Sequence, residues 1–489
     1  MINKIIGRLK EKAILKDVFN SPRPEFVAIY GRRRIGKTFL IHNYFANNNC
    51  IYFHMVGTQN SNMSIQLENF TKELSRLFYN EEPIQTPRSW REAFERLNKA
   101  IEITYKTRSQ KVVIFFDELP WIATPKSSFL ESLEYTWNRF WGDLPYIKLI
   151  ICGSSASWII KKIINNKGGL HNRVTKTIIL RPFLLKETKE YLESIGCKYK
   201  YPQILDIYMA VGGVPFYLKE IKKGLSAMQN INNICFRPDG LLFHEFINIF
   251  NSLYNHAEEY IEIIRVMAKT RSGISRTELE KKCKLSNKGG TFTEKLKSLE
   301  DAGFILSFVP FQHIQRGIFY KVIDEYSLFY LHWIENKHKT LLKIEMDNNY
   351  WQDKYKTPAW YSWAGYAFEA VCYKHLYIIR KVLNIPNDSE ASTWRYTPKN
   401  TTDNGTQIDL LFDRNDKAFT LCEIKYTEEP FVITKEYAKN LINKEDVFIK
   451  HNKTSKQIFI ALISASGLKE SVNSKSLING LVTAEDLFN

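Results

Sequence analysis

Residues 26–41, FVAIYGRRRIGKTFLI, place two glycines, a lysine and a hydroxyl at the spacing that binds a phosphate. A β-branched and aromatic run over 26–30 enters a loop bounded by Gly31 and Gly36, and Lys37 and Thr38 then open a stretch able to form a helix. Loop N–H groups, freed from side-chain crowding at the glycines, can point at β- and γ-phosphates, while the positive end of the following helix faces the same anion. Lys37 is then expected to neutralise phosphate charge and the Thr38 hydroxyl to bind Mg2+. The expected contact set is Gly31, Arg32, Arg33, Arg34, Ile35, Gly36, Lys37, Thr38 and Phe39. Within it, the arginines either add phosphate-directed charge or include one that pairs with an acid of a neighbouring domain.

Such a loop needs partners, and the chain supplies them in order. Asp117 closes the apolar run VVIFF and is expected to hold hydrated Mg2+ through water. Glu118 is expected to polarise the attacking water, or is simply a solvated loop acid. At the tip of a later apolar run, Ser154, with Ser155 as its competitor, either reaches the γ-phosphate or serves as a turn or helix cap. A second constellation lies far downstream. Asp409 in QIDLL is followed, after a turn, by Glu423 and Lys425 in LCEIK. Side chains two apart on a strand share a face, so Glu423 and Lys425 point the same way, and a hairpin lets Asp409 face them. Two carboxylates can bind a hard cation such as Mg2+, while the lysine activates water and offsets phosphate charge during in-line hydrolysis. The bland reading is an exposed hairpin, which the apolar neighbours on both strands make a stranger arrangement.

The elements that must position these groups follow from pattern. Strands are expected at 26–30, 50–55, 112–116, 147–152 and 174–180, with helices at 64–77, 90–101 and 121–141, which indicates a doubly wound parallel sheet. Helical patterns then dominate to about 251, as a lid. Helices at 260–269, 275–283 and 291–302, a turn at 272–274, a polar turn at 286–290, and strands at 304–310 and 316–323 make a winged helix-turn-helix arrangement. Its Lys281, Lys282, Lys284, Lys288, Lys295 and Lys297 either track DNA phosphates or form a solvated face. A final α/β region has helices at 360–375 and 434–442 and strands at 394–396, 407–412, 418–426 and 457–463. The predicted domains are therefore 1–183, 184–255, 256–338 and 339–489.

Bulk properties narrow the class. The chain has 489 residues and a formal charge of +17, which favours a polyanionic partner through counterion release. Seven scattered cysteines, never spaced C-x2-C, support neither a disulfide framework nor a zinc site. No apolar run is long enough to cross a membrane, and the beginning of the chain lacks a signal-peptide pattern, so a soluble, cytoplasmic protein with no membrane partner is expected.

Taken together, Gly31-x4-Gly36-Lys37-Thr38, Asp117-Glu118, Gly153-Ser154-Ser155, Asn172-Arg173 ahead of Arg181-Pro182-Phe183, and Gly212-Gly213-x-Pro215 resemble the archaeal-type AAA+ ATPases, relatives of the signal-transduction NTPases with numerous domains. The resemblance covers roughly residues 1–340 and continues into a C-terminal region that one branch of the family builds as a nuclease-like domain. It implies ATP as the nucleotide and places Gly7 and Arg8 near the adenine. It also implies that Arg173 is an arginine finger reaching a neighbouring subunit, although Arg173 could equally pair with an acid of its own domain. The second constellation resembles the PD-(D/E)xK nucleases, with Asp409 as the first acid, Glu423 and Lys425 as the second half, and Glu369 as the additional metal-binding glutamate. These residues imply an α/β P-loop ATPase with helical lid, winged helix and restriction-endonuclease-like domain, using ATP and Mg2+ and acting on DNA, with no membrane partner, as a homo-oligomer or with a protein partner. The rival is a signalling or scaffold NTPase whose nuclease-like domain is inactive and only docks.

Overall fold

Strands that are apolar from end to end leave no face for water, and this governs the first half of the chain. The computed structural model describes residues 4–489 except 166, 167, 169, 171, 286–288, 312–316, 344–348, 397 and 399–404. The described chain divides into two compact units, Met1–Arg181 and Pro182–Asn489. In the first, β1 (Glu25–Tyr30), β2 (Cys50–Val56), β3 (Lys111–Asp117), β4 (Ile147–Gly153) and β5 (Lys176–Ile179) form a sheet of order β2-β3-β4-β1-β5. Every pairing is parallel. β1 and β4 are buried along their whole length, as strands covered by helices on both faces must be.

One face packs against α1 (Leu9–Asn20) and α2 (Lys37–Phe45) through Leu15, Val18, Leu40, Ile41 and Phe45. The other packs against α3 (Met63–Phe78) and α4 (Trp90–Arg108) through Phe70, Leu74, Trp90, Phe94 and Leu97. Asn62 and Ser89 start these two helices by accepting hydrogen bonds from the backbone N–H groups of Ile65 and Glu92. The helix expected over 121–141 is corrected to a single turn, Leu119–Ile122, and a helix Phe129–Arg139. Between them Lys126 and Ser128 adopt left-handed backbone, which ends any continuous helix.

The second unit begins with helices Leu185–Ser194, Tyr201–Val211, Ala227–Cys235 and Glu245–Leu253. Helices Ala257–Ala268, Arg276–Lys282 and Gly290–Asp301 follow, with β6 (Ile274–Ser275), β7 (Ile305–Phe308) and β8 (Phe319–Val322) in an antiparallel sheet of order β6-β8-β7. The turn expected at 272–274 is therefore shorter: Gly273 turns with φ 84°, and Ile274 already pairs with Tyr320. Ser275 caps the next helix by accepting from Glu278 N, and Thr277 lies inside it. Lys288, Arg316 and most of the 286–290 turn lie outside the described residues.

A short helix Glu325–Phe329 runs into a π-helical turn Tyr330–Ile334, and the helix Pro358–Lys374 precedes a mixed sheet. That sheet comprises β9 (Glu390–Tyr396), β10 (Thr406–Asp413), β11 (Ala418–Lys425), β12 (Gln457–Ser464) and β13 (Gly480–Thr483), ordered β13-β12-β11-β10-β9. β9, β10 and β11 pair antiparallel, whereas β11, β12 and β13 pair parallel. The helix expected over 434–442 extends over Lys435–Asn452, and both β13 and the helix Val472–Leu477 are additional to the expected elements. One apolar cluster, running from Phe183 through Tyr208, Phe246, Trp351 and Phe368 to Phe488, draws on all three segments 184–255, 256–338 and 339–489. Those segments therefore bury a common core.

Candidate functional sites

Parallel sheets present ligand sites outside the carboxyl ends of their strands, and the first constellation gathers there. β1 ends at Tyr30, Gly31 turns the chain with φ 152°, and Gly36 with φ 88° leads into α2. Lys37 is buried, and its Nζ donates to the carbonyls of Gly31 at 2.9 Å and Arg32 at 3.1 Å, so the ammonium is held across the loop. Thr38 Oγ1, on α2, donates to Asp117 Oδ2 at 2.6 Å, although β4 lies between β3, which ends at Asp117, and β1, which leads into the loop before α2. Two hard oxygen donors side by side are a suitable start for a Mg2+ shell.

Asp117 also accepts from the Cys152 thiol at 2.8 Å and from Glu118 N at 3.0 Å, and His54 Nε2 lies 3.7 Å away. Burial raises its carboxyl pKa, but His54, Cys152 and Thr38 outweigh this and hold it below the ordinary value. Asp117 is thus an anion at neutral pH. Glu118 adopts left-handed backbone, φ 51°, which turns its side chain toward the end of β4. There Oε2 accepts from Ser154 N at 2.9 Å and Oε1 from the Ser154 hydroxyl. Of the two competing serines, Ser154 is the one bonded to the acid.

Arg8 is buried and donates to Arg181 O at 2.6 Å and to Ile35 O at 3.2 Å, so it grips the loop from behind. Gly7, with φ 58°, precedes it. Arg33 lies 5.9 Å from the Trp121 ring, Arg32 is buried, and Arg34 has φ 71°. Phe39 is exposed at the start of α2. Arg173 is exposed and forms no ion pair with an acid among the described residues.

In the second unit, β10 and β11 form the expected hairpin, with Leu410 opposite Cys422. The β9–β10 register shifts between Ile408 and Leu411, a bulge that re-aims Asp409. Asp409 Oδ2 accepts from Ile424 N at 3.1 Å. Burial, then the charges of Glu423 and Glu369, raises the Asp409 pKa to about 6. Glu423 is buried, and both of its oxygens are engaged. Oε1 lies 2.8 Å from Lys425 Nζ and accepts from Tyr437 Oη at 2.5 Å, and Oε2 accepts from Lys444 Nζ at 2.6 Å. Burial opposes its ionisation, but Lys444 and Lys425 outweigh that and keep its pKa below the ordinary value.

Glu369 binds Lys321 Nζ at 3.2 Å instead. Among the described residues no three His, Cys, Asp or Glu side chains gather closely enough to hold a metal, so the expected metal-ligand trio of Asp409, Glu423 and Glu369 is not assembled. Lys425 and Lys444 instead pair with Glu423, and the donor set does not fit a metal in this arrangement. Tyr437 and Lys444 were not expected from sequence. Their signal was a spacing of seven, which puts both on one face of the helix Lys435–Asn452. His54 and Cys152, beside Asp117, had no comparable signal.

Residues 6–221 match the family model described as an ATPase domain predominantly from Archaea. An uncharacterized protein of Methanocaldococcus jannaschii is 24% identical over 428 residues, 86% of this chain and 88% of its own length. Among solved structures, a Walker-type ATPase of Pyrococcus abyssi is 17% identical with a TM-score of 0.48, over 67% of this chain and 96% of that one. The ORC2 protein of Aeropyrum pernix is 14% identical with a TM-score of 0.45, over 70% of this chain and 98% of that one. The match makes residues 6–221 similar to an archaeal-type ATPase domain. Among the described residues, no helix is long and apolar enough to cross a membrane.

Proposed function

We propose that the protein hydrolyses ATP at the first site and uses the cycle to act on DNA. The observation that carries the reading is the meeting of Thr38 and Asp117 at 2.6 Å beside a buried Lys37, with Glu118 held by Ser154 at the same strand ends. In this reading Lys37 leaves the Gly31 and Arg32 carbonyls for the phosphates. Mg2+, held by Thr38 and through water by Asp117, would supply charge neutralisation at the β- and γ-phosphate oxygens. Glu118 orients the attacking water, and its bonds to Ser154 tie that carboxylate to the end of β4. Arg8 keeps the loop in register through the Ile35 carbonyl, behind the nucleotide. Arg173, exposed and unpaired with any described acid, is suited to reach a second copy of the chain as an arginine finger.

DNA binding rests on the charge of +17 and on the lysines of the three helices that precede β7, which we read as a winged helix. Lys281, Lys284 and Lys297 are exposed. Lys282 pairs with Glu278 at 2.7 Å, and Lys295 is buried against Glu259 at 2.7 Å, so neither is set to meet phosphate. The test is electrophoretic mobility of duplex DNA across a salt series, together with ATP turnover of Lys37→Ala. Steep loss of DNA affinity with salt and abolished turnover are expected, and absence of DNA binding at low salt would favour a protein-directed signalling NTPase.

For the C-terminal sheet we infer a PD-(D/E)xK-like domain that docks rather than cuts. The support is the occupation of both Glu423 oxygens by Lys425, Lys444 and Tyr437. Metal-dependent cleavage is the second reading, favoured by Asp409 and Glu423 facing each other with Lys425 beside them. Nicking of plasmid DNA in Mg2+ or Mn2+ that disappears in Asp409→Ala would establish cleavage, and its absence in the unmodified chain would support docking.

A further inference from the structure

A cleft of about 400 Å3 opens within residues 182–489 and shares no lining residue with either site above. Its cations come from the end of the helix Ala257–Ala268 and the turn beyond it, as Arg265, Lys269 and Arg271. Its apolar wall comes from Leu328 and Leu331 and from Trp363 of the helix Pro358–Lys374. The π-helical turn Tyr330–Ile334 carries Leu331 and His332 into the lining, and such turns recur at functional positions.

The charges here do not cancel. Arg265 is met by Glu335 at 2.7 Å. Lys269 and Arg271 are exposed and make no ion pair among the described residues, so they leave two uncompensated positive charges. Arg271 is nonetheless fixed, because it donates to Ser362 Oγ at 3.0 Å and lies 5.6 Å from the Tyr366 ring. A planar guanidinium already held in place loses little freedom on gripping a phosphate. Burial, and then the Arg271 charge, lowers the His332 pKa, which leaves a neutral imidazole at the same rim.

We propose that this cleft binds a phosphomonoester carried on a planar group of nucleotide size, with the phosphate on Lys269 and Arg271 and the planar group against Leu328, Leu331 and Trp363. A phosphomonoester carries about −1.5 to −2 charges at neutral pH, which matches two free cations, whereas a backbone diester carries a single charge. The volume falls within the roughly 300–1,000 Å3 of small-molecule sites. A free mononucleotide and the 5′-phosphorylated end of a strand offer the same chemistry.

The test is calorimetric titration of the full-length Lys37→Ala chain with AMP, adenosine, and a hexanucleotide with or without a 5′-phosphate. The expected result is one-to-one binding of AMP, at least tenfold weaker binding of adenosine, and a tenfold or greater loss in Arg271→Ala and in Lys269→Ala. Preference for the 5′-phosphorylated over the unphosphorylated hexanucleotide, with tighter binding than AMP, would assign the site to strand ends. Both cations are exposed, so both variants are expected to melt like the parent. The proposal is overturned if neither AMP nor the phosphorylated hexanucleotide binds at millimolar concentration, if adenosine binds as well as AMP, or if both variants bind like the parent.

Discussion

Gly31 and Gly36 frame the same loop, yet the structure predicts very different outcomes when each becomes alanine. A Cβ on Gly31 would lie 2.1 Å from Leu180 O and 2.6 Å from Ile35 Cδ1. The carbonyl cannot easily retreat, because Leu180 N is bonded to Tyr30 O at 2.8 Å and so ties the segment to β1. Overpacking against backbone costs about 3 kcal/mol, and the unusual φ adds about 1 kcal/mol. A Cβ on Gly36 would meet nothing nearer than Phe39 Cβ at 4.0 Å, which leaves only left-handed strain of about 1.5 kcal/mol. A unit of this size loses about 2–4 °C per kcal/mol. Scanning calorimetry of the full chain should therefore show the Met1–Arg181 transition lowered by about 8–16 °C in Gly31→Ala and about 3–6 °C in Gly36→Ala. A fluorescent ATP analogue should also bind the first variant at least tenfold more weakly, since the Cβ clash with Leu180 O and Ile35 would shift the loop that cradles the phosphates. Equal shifts, or a larger one at Gly36, would refute the packing argument.

Asp409→Asn tests the second site. The folded pKa of Asp409 is raised, so between its ordinary value near 4 and about 6 the folded state binds more protons than the unfolded one and the parent loses stability as pH rises. The variant keeps an acceptor for Ile424 N but lacks this loss, so urea titrations should show its advantage over the parent growing from pH 4 to pH 7. Lys444→Met leaves Glu423 with Lys425 and Tyr437 only, and should lower stability by about 1–3 kcal/mol at pH 7, a deficit that shrinks as pH falls through the depressed Glu423 pKa. Arg173→Ala should reduce ATP turnover about a thousandfold while leaving ATP affinity intact, and the parent's specific activity should rise with protein concentration. Activity independent of both would remove the finger role.

Local patterns made the first site legible, because its glycines, its Lys37-Thr38 pair and the acids at the end of VVIFF each follow an uninterrupted apolar strand. The same logic found the Asp409 and Glu423 hairpin. Contacts between distant segments were not legible. Nothing near Glu369 in sequence indicates that Lys321 will neutralise it, and nothing near Arg8 indicates a grip on the Ile35 and Arg181 carbonyls. Binary patterning also suggested separate domains after residue 183, because each segment carries its own periodicity. The aromatic residues Tyr208, Phe246, Trp351 and Trp363 instead share one core that draws on all three segments.

Glu118→Gln separates hydrolysis of ATP by Glu118 from nucleotide binding beside the Thr38–Asp117 pair. The amide preserves the shape that meets Ser154 but cannot draw a proton from water. ATP affinity should stay within about threefold of the parent while turnover falls at least a hundredfold, the scale of a lost general base. Parental turnover in Glu118→Gln, with ATP bound normally, would contradict that role.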